Sequence, residues 1–172
     1  SKNGYRFYGW YKNSALTEKY TFTTMPADDI TLYAKWSVVT YRINYHLDGG
    51  INNVSNPADY TIESEEIIFA APAKLGYTFL GWYTDSEYET SIDSIVQGSY
   101  GEVFVYAKWQ AIEYDITYIG IGNAENDNPA KYTIEDTVIL AAAEKLGYTF
   151  DGWYSDADYR NKVTQISAGR AI

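Results

Sequence analysis

A single histidine, His46, is the only side chain in 172 residues that ordinarily titrates near neutrality, and there is no cysteine. Acid–base catalysis at neutral pH would fall first to that imidazole. It sits at a polar position of the alternating segment Tyr41-Arg42-Ile43-Asn44-Tyr45-His46-Leu47, which predicts a solvent-facing strand residue. No Gly-x-Ser-x-Gly, His-Glu-x-x-His or phosphate-loop pattern occurs, the spacings that mark common families of serine hydrolases, zinc proteases and nucleotide-binding proteins. Gly120-Ile121-Gly122 is a lone Gly-x-Gly with no helical pattern after it, and reads as turn chemistry. Absence of cysteine removes thiolate metal sites and redox chemistry. Oxygen donors cluster in Glu125-Asn126-Asp127-Asn128 and in Asp48 with Asn52 and Asn53, which hard cations favour. Their spacing matches no calcium loop and the two clusters differ, so they read as solvated loops. The expectation is no catalytic residue, no cofactor and no metal site.

Aromatic side chains are the remaining candidates: 19 Tyr, 6 Phe and 5 Trp. Tyr8, Trp10, Trp82, Tyr100, Tyr106 and Trp153 are able to stack on sugars. Aromatics that recur at fixed positions read as structure. Those that vary between copies, Tyr8, Tyr88 and Tyr100, are the candidates for contact with a protein or glycan ligand.

The copies themselves are plain. Gly4-Tyr5-Arg6-Phe7-Tyr8-Gly9-Trp10-Tyr11 returns as Gly76-Tyr77-Thr78-Phe79-Leu80-Gly81-Trp82-Tyr83 and as Gly147-Tyr148-Thr149-Phe150-Asp151-Gly152-Trp153-Tyr154. The leading glycines stand 72 and 71 residues apart, from 4 to 76 and from 76 to 147. Tyr33-Ala34-Lys35-Trp36 returns at 106–109, and Asn56-Pro57-Ala58-Asp59-Tyr60-Thr61-Ile62-Glu63 at 128–135. Three markers sharing one period signal a tandem array. Gly76, Tyr77, Phe79, Gly81, Trp82, Tyr106 and Trp109 form the structural motif of the unit. Expected boundaries are residues 1–37 (the back half of a repeat), 38–110 (one complete repeat) and 111–172 (a repeat without its final strand).

A unit of about 70 residues is near the lower limit for a self-sufficient core, and large aromatic side chains offset that deficit. Period-2 alternation predicts strands over 41–47 and 103–109, with further extended stretches at 60–62 and 67–69. Ala70–Leu75 reads as a helical turn stopped by Gly76, and 91–97 as a short helix stopped by Gly98. Within Gly76–Tyr83, strict alternation places Tyr77, Phe79, Gly81 and Tyr83 on a core face and Thr78, Leu80 and Trp82 on a partly covered one. The internal glycine points to a bulge or a close backbone approach. Only four residues separate Trp36 from Tyr41 and Trp109 from Tyr114, which implies a semi-rigid string of domains.

A net charge of −10 repels nucleic acid and anionic polymers. No apolar run reaches the length of a membrane span. The two end copies expose unpaired strand edges, which template pairing with other chains. The N-terminal half-repeat is expected either to dock on a neighbouring molecule's incomplete third copy, a strand exchange between chains, or to be poorly ordered.

The segments at 76–83, 147–154, 33–36 and 106–109, with Met25-Pro26-Ala27-Asp28-Asp29-Ile30-Thr31-Leu32, resemble the Listeria–Bacteroides repeat family, to which the internalin B repeat belongs. The resemblance implies mainly β or α+β domains of β-grasp (ubiquitin- or SUMO-like) form. It implies an extracellular place at the bacterial cell surface or wall, and a non-catalytic stalk or spacer role. Adhesion to a host protein or glycan is the alternative, and an accessory domain of a secreted glycan-active enzyme is a third reading.

Overall fold

The computed structural model describes residues 1–23 and 28–169. Met25, Pro26 and Ala27 of the resemblance lie outside them. Contacts divide the chain into two compact units, Ser1–Ala73 with Leu80–Lys108, and Lys74–Phe79 with Trp109–Ile172. All described regular structure is β, so no helix among the described residues is long and apolar enough to cross a membrane.

In the first unit, β1 (Tyr5–Tyr11) pairs antiparallel with β2 (Tyr33–Val38). Then come β3 (Thr40–His46), β4 (Asp59–Thr61), β5 (Ile67–Ile68), β6 (Tyr77–Tyr83), β7 (Ser94–Ile95) and β8 (Val103–Ala111), of which β6 and β8 contribute residues to both units. The four-stranded sheet has the order β4-β3-β8-β6, with β3 and β8 parallel in the register Ile43↔Val103 to His46↔Tyr106. β5 and β7 form a separate antiparallel ribbon. Alternation decides which side chains the sheet buries: Ile43, Val105 and Ala107 are buried, as are Tyr60, Phe69, Trp82 and Ile95. Val105 is wholly excluded from water, while Arg42, His46 and Phe104, on alternate positions of the same strands, are exposed.

The second unit holds β9 (Tyr114–Asp115) paired with β10 (Lys131–Tyr132), β11 (Val138–Ile139) paired with β14 (Gln165–Ile166), and β12 (Trp153–Tyr154) paired with β13 (Lys162–Val163). Ala143 and Ile166 are its buried apolar residues. A cleft of about 620 Å³, lined by Ile116, Tyr118, Phe150, Trp153 and Ile166 among others, opens between these ribbons. Positions equivalent to Ile116 and Trp153 in the preceding copy, Ile43 and Trp82, are buried.

Two expectations of helix are corrected. Ala70–Leu75 is not a helical turn but runs through a bridge at Ala73, which exchanges both backbone hydrogen bonds with Ile51 at 2.7 and 2.9 Å. The chain then turns at Leu75-Gly76, where the Tyr77 N–H donates to the Lys74 carbonyl at 3.2 Å; Pro72 disfavours helical geometry in the residue before it. Residues 91–97 carry β7 instead: β-branched Ile95 pairs with Ile67, and the Phe69 N–H donates to Asp93 at 2.9 Å. Isoleucine and valine at 92, 95 and 96 fit a pleated surface better than a one-turn helix. The α+β half of the expected fold class falls with those helices among the described residues.

The face assignment of the Gly-Tyr-x-Phe strand is corrected too. In β1 the register slips between Phe7 and Gly9, so Tyr8 is an extra residue. A bulge of this kind returns the side chains beyond it to the side they would otherwise leave. Phe7 and Trp10 therefore share a face, their rings 5.4 Å apart. Gly81 repeats the backbone of Gly9, with φ of 143° against 146°. Trp82 is accordingly buried at 3 % exposure while Leu80 is open.

Candidate functional site

The sequence repeats, and so do the contacts where one copy meets the next. Gly4 is buried and has φ of +74°; a Cβ there would stand 2.6 Å from Cβ of Ile62. Gly76 is buried with φ of +77°, and a Cβ there would stand 2.5 Å from Cδ1 of Ile134. Positive φ and absent space each call for glycine at these positions. Beside them, the Tyr5 hydroxyl donates to Oε1 of Glu63 at 2.6 Å and the Tyr77 hydroxyl to Oε1 of Glu135 at 2.7 Å. The Val39 N–H donates to the Gly4 carbonyl, and the Ile112 N–H to that of Gly76, both at 2.9 Å. A lysine lies over each tyrosine ring: Lys2 at 3.6 Å from the Tyr5 centroid and Lys74 at 4.1 Å from that of Tyr77. Each junction thus seats the Gly-Tyr of one copy on the Ile-Glu corner of the following one. The Glu63 carboxylate raises the Tyr5 pKa, chiefly through their hydrogen bond.

Around Trp82 the sequence builds a second constellation. Asn56 pairs with Ala70 as one peptide pairs with another: its Oδ1 accepts from the Ala70 N–H at 2.8 Å and its Nδ2 donates to the Ala70 carbonyl at 2.9 Å. The same carbonyl accepts the Trp82 indole N–H at 3.2 Å. Asn128, Ala141 and Trp153 repeat this node, with distances of 2.6, 2.9 and 2.7 Å. Asn52 and Asn126, considered above as oxygen donors for a cation, turn their Oδ1 atoms to Asn56 and Asn128 at 2.7 and 2.6 Å. Among the described residues no three His, Asp or Glu side chains converge as metal ligands would. Tyr45, behind Trp82, donates to the Pro57 carbonyl at 2.9 Å, and burial pushes its pKa up to about 12.

The third recurring feature is a loop that the sequence reading passed over. Asp85 accepts the N–H groups of Glu89 and Thr90 at 2.9 and 3.0 Å, and Asp156 those of Arg160 and Asn161 at 3.1 and 2.7 Å. Asn13 does the same for Thr17 at 3.0 Å. These backbone donors hold the Asp85 and Asp156 carboxyls below the ordinary range. Each loop contains a non-glycine residue with positive φ: Leu16 at 54°, Tyr88 at 59° and Tyr159 at 56°. Asn or Asp at 13, 85 and 156, in step with the period, was the available signal.

The individual candidates occupy different settings. Tyr8 is the bulge residue, 58 % exposed, with the Lys19 and Lys35 ammonium groups each 5.6 Å from its ring centre. Tyr100 is 55 % exposed and its hydroxyl accepts from Asn3 at 3.2 Å. Tyr88 packs edge-on against Tyr83 at 5.5 Å, with Lys108 over both rings. His46 is exposed and lies flat on Tyr106, ring centres 4.3 Å apart. Of the remaining motif residues, Phe79 meets Trp109 edge-on at 5.5 Å, just as Phe7 meets Trp36 at 5.2 Å.

The sequence profile of the Listeria-Bacteroides repeat domain matches residues 1–35, 41–108 and 114–169. The chain belongs to this family. Two relatives of this Listeria-Bacteroides repeat chain come from Evansella cellulosilytica, and their provisional names call them a membrane protein and a Gly-rich membrane protein. They are 32 % identical over 91 % of the chain and 31 % identical over 90 % of it. Internalin H of Listeria monocytogenes is 41 % identical over 48 % of the chain. The chain spans 24 %, 18 % and 15 % of the lengths of these three proteins. None of the three names is that of an enzyme. No solved structure matches the chain.

Proposed function

We propose that this chain is a non-catalytic segment of a protein on the outside of a bacterial cell, serving as a spacer that holds other domains away from the envelope. The observation that supports this reading is the junction used twice, Gly4-Tyr5 on Ile62-Glu63 and Gly76-Tyr77 on Ile134-Glu135. In a tandem array each repeat touches only its neighbours, so the repeat-to-repeat contact decides how freely successive repeats move. Only Val39 separates β2 from β3, which leaves little slack for swivelling. The parallel β3–β8 pair at the centre of a mixed sheet supports a β-grasp-like unit.

Spin labels test the spacer. The chain has no cysteine, so Ser14→Cys with Ser86→Cys places labels at equivalent exposed points of two copies. A narrow distance distribution, broadened by Gly4→Val, is the expected result. A broad distribution in the unaltered junction overturns the reading.

Adhesion is the second reading, favoured by the open rings of Tyr8 and Tyr100. Saturable binding to a glycan array or host cells, lost in Tyr8→Ala or Tyr100→Ala with unchanged melting, would support it. Strand exchange with another molecule is a further partner proposal, supported by the cleft beside Trp153. A chain that sediments as a monomer at all accessible concentrations argues against it.

A further inference from the structure

The third Gly-Tyr pair has the same preparation as the first two and lacks their occupant. Gly147 has φ of +81°, close to the +74° and +77° of Gly4 and Gly76, yet a Cβ placed on it meets nothing within 4 Å. Gly4 and Gly76 are buried; Gly147 is exposed. Lys145 lies 4.4 Å from the Tyr148 ring centre, as Lys74 lies over Tyr77. The Tyr148 ring is therefore held in the same manner, but 72 % of its surface is open.

We propose that the Gly147–Tyr148 face is a docking surface for the Thr-Ile-Glu corner of a further Listeria-Bacteroides repeat. Continuity with the two junctions already built carries the argument. In each, the occupant is an isoleucine against the glycine, a glutamate on the tyrosine hydroxyl, and a backbone N–H on the glycine carbonyl. An isoleucine fits because only hydrogen occupies the glycine's side-chain position. The glutamate fits because the hydroxyl needs an acceptor and the lysine beneath the ring offsets part of its charge. A second copy of this same chain is a poor occupant, since its Ile62-Glu63 and Ile134-Glu135 corners are already filled. The inference rests on the junctions that support the spacer reading, and extends them to a surface that is now free.

The test lengthens the chain by joining a second copy of residues 99–169 directly after Gly169. That addition supplies a strand equivalent to Val103–Ala111 and then a new Ile134-Glu135 corner. Melting and amide hydrogen exchange are compared in the original and extended chains, each with and without Tyr148→Phe. Docking predicts that Tyr148→Phe leaves the original chain's melting unchanged and lowers that of the extended chain. It also predicts that Ile112 of the appended copy exchanges its amide about tenfold more slowly than an open amide, as one hydrogen bond of ordinary net strength implies. Equal effects of Tyr148→Phe in both chains, with rapid exchange at that amide, overturn the proposal. So does nuclear-spin relaxation showing that the appended copy tumbles independently. Self-association of the original chain that Tyr148→Phe abolishes would assign the face to a second copy instead. Broad distances between labels at 14 and 86, with a docked appended copy, would remove the spacer reading and leave this one standing.

Discussion

The indole N–H of Trp82 donates to the carbonyl of Ala70 at 3.2 Å, and that carbonyl also accepts the side-chain amide of Asn56. The tryptophan thus fills the core and closes the loop that follows the first strand of its repeat. Its ring lies 5.5 Å from that of Tyr45 and 6.2 Å from that of Phe69.

Removing it should therefore be severe. Trp82→Ala is expected to cost about 3–5 kcal/mol, in line with other truncations of buried aromatics. Trp10→Ala, at a position that keeps 39 % of its surface in water, should cost much less. Urea unfolding followed by circular dichroism measures both, and equal losses would contradict the burial difference.

Alanine at Gly76 and at Gly147 separates backbone strain from lack of space. Both positions have positive φ, +77° and +81°, so both variants carry roughly 1–2 kcal/mol of left-handed strain. Only Gly76→Ala also drives a Cβ into Ile134, adding about 1–3 kcal/mol of overpacking. The difference in unfolding free energy between the two variants reports that added cost, and no difference would deny the contact.

Alkaline pH should loosen the first junction. The Tyr5 pKa is raised above 10.0 by its hydrogen bond to Glu63, so that bond's contribution is complete below pH 10.0 and disappears as pH climbs through the raised value. The tyrosinate would then face a carboxylate. Distances between labels at 14 and 86 should broaden on alkaline titration. In Tyr5→Phe the titratable part of that change is absent, and Tyr45, at about 12, leaves a separate transition at higher pH.

Acid acts on the recurring loops. Asp85 and Asp156 have pKa values lowered from 3.8 by backbone donors. Their contribution is present above 3.8 and is lost as pH falls through the lowered values. Asn13 already performs the same loop closure without a charge. Asp85→Asn with Asp156→Asn should preserve the fold and flatten the acid limb of the stability curve, as melting below pH 4 would reveal. An unchanged acid limb would place the pH dependence elsewhere.

The sequence by itself determined the period, the family resemblance and the main strands, read at 41–47 and 103–109 and found at 40–46 and 103–111, and it marked the strand glycine as a bulge or a close backbone approach. Each of these is written in local chemistry: repetition, period-2 alternation, and a glycine where a side chain would not fit. It misread 70–75 and 91–97, because short apolar runs fit helix and strand equally and partners far along the chain decide between them. The backbone groups of Ala73 found Ile51, and Ile95 found Ile67. Strict alternation likewise misplaced Trp82, since one bulged residue reverses the face of everything after it. The Asn-Pro-Ala and Thr-Ile-Glu segments were visible as markers, but nothing local showed that Asn56 pairs with Ala70 or that Ile62 and Ile134 cover glycines. Tertiary structure alone decided those contacts, because a side chain's partner is set by which distant segment folding brings within a few ångströms of it.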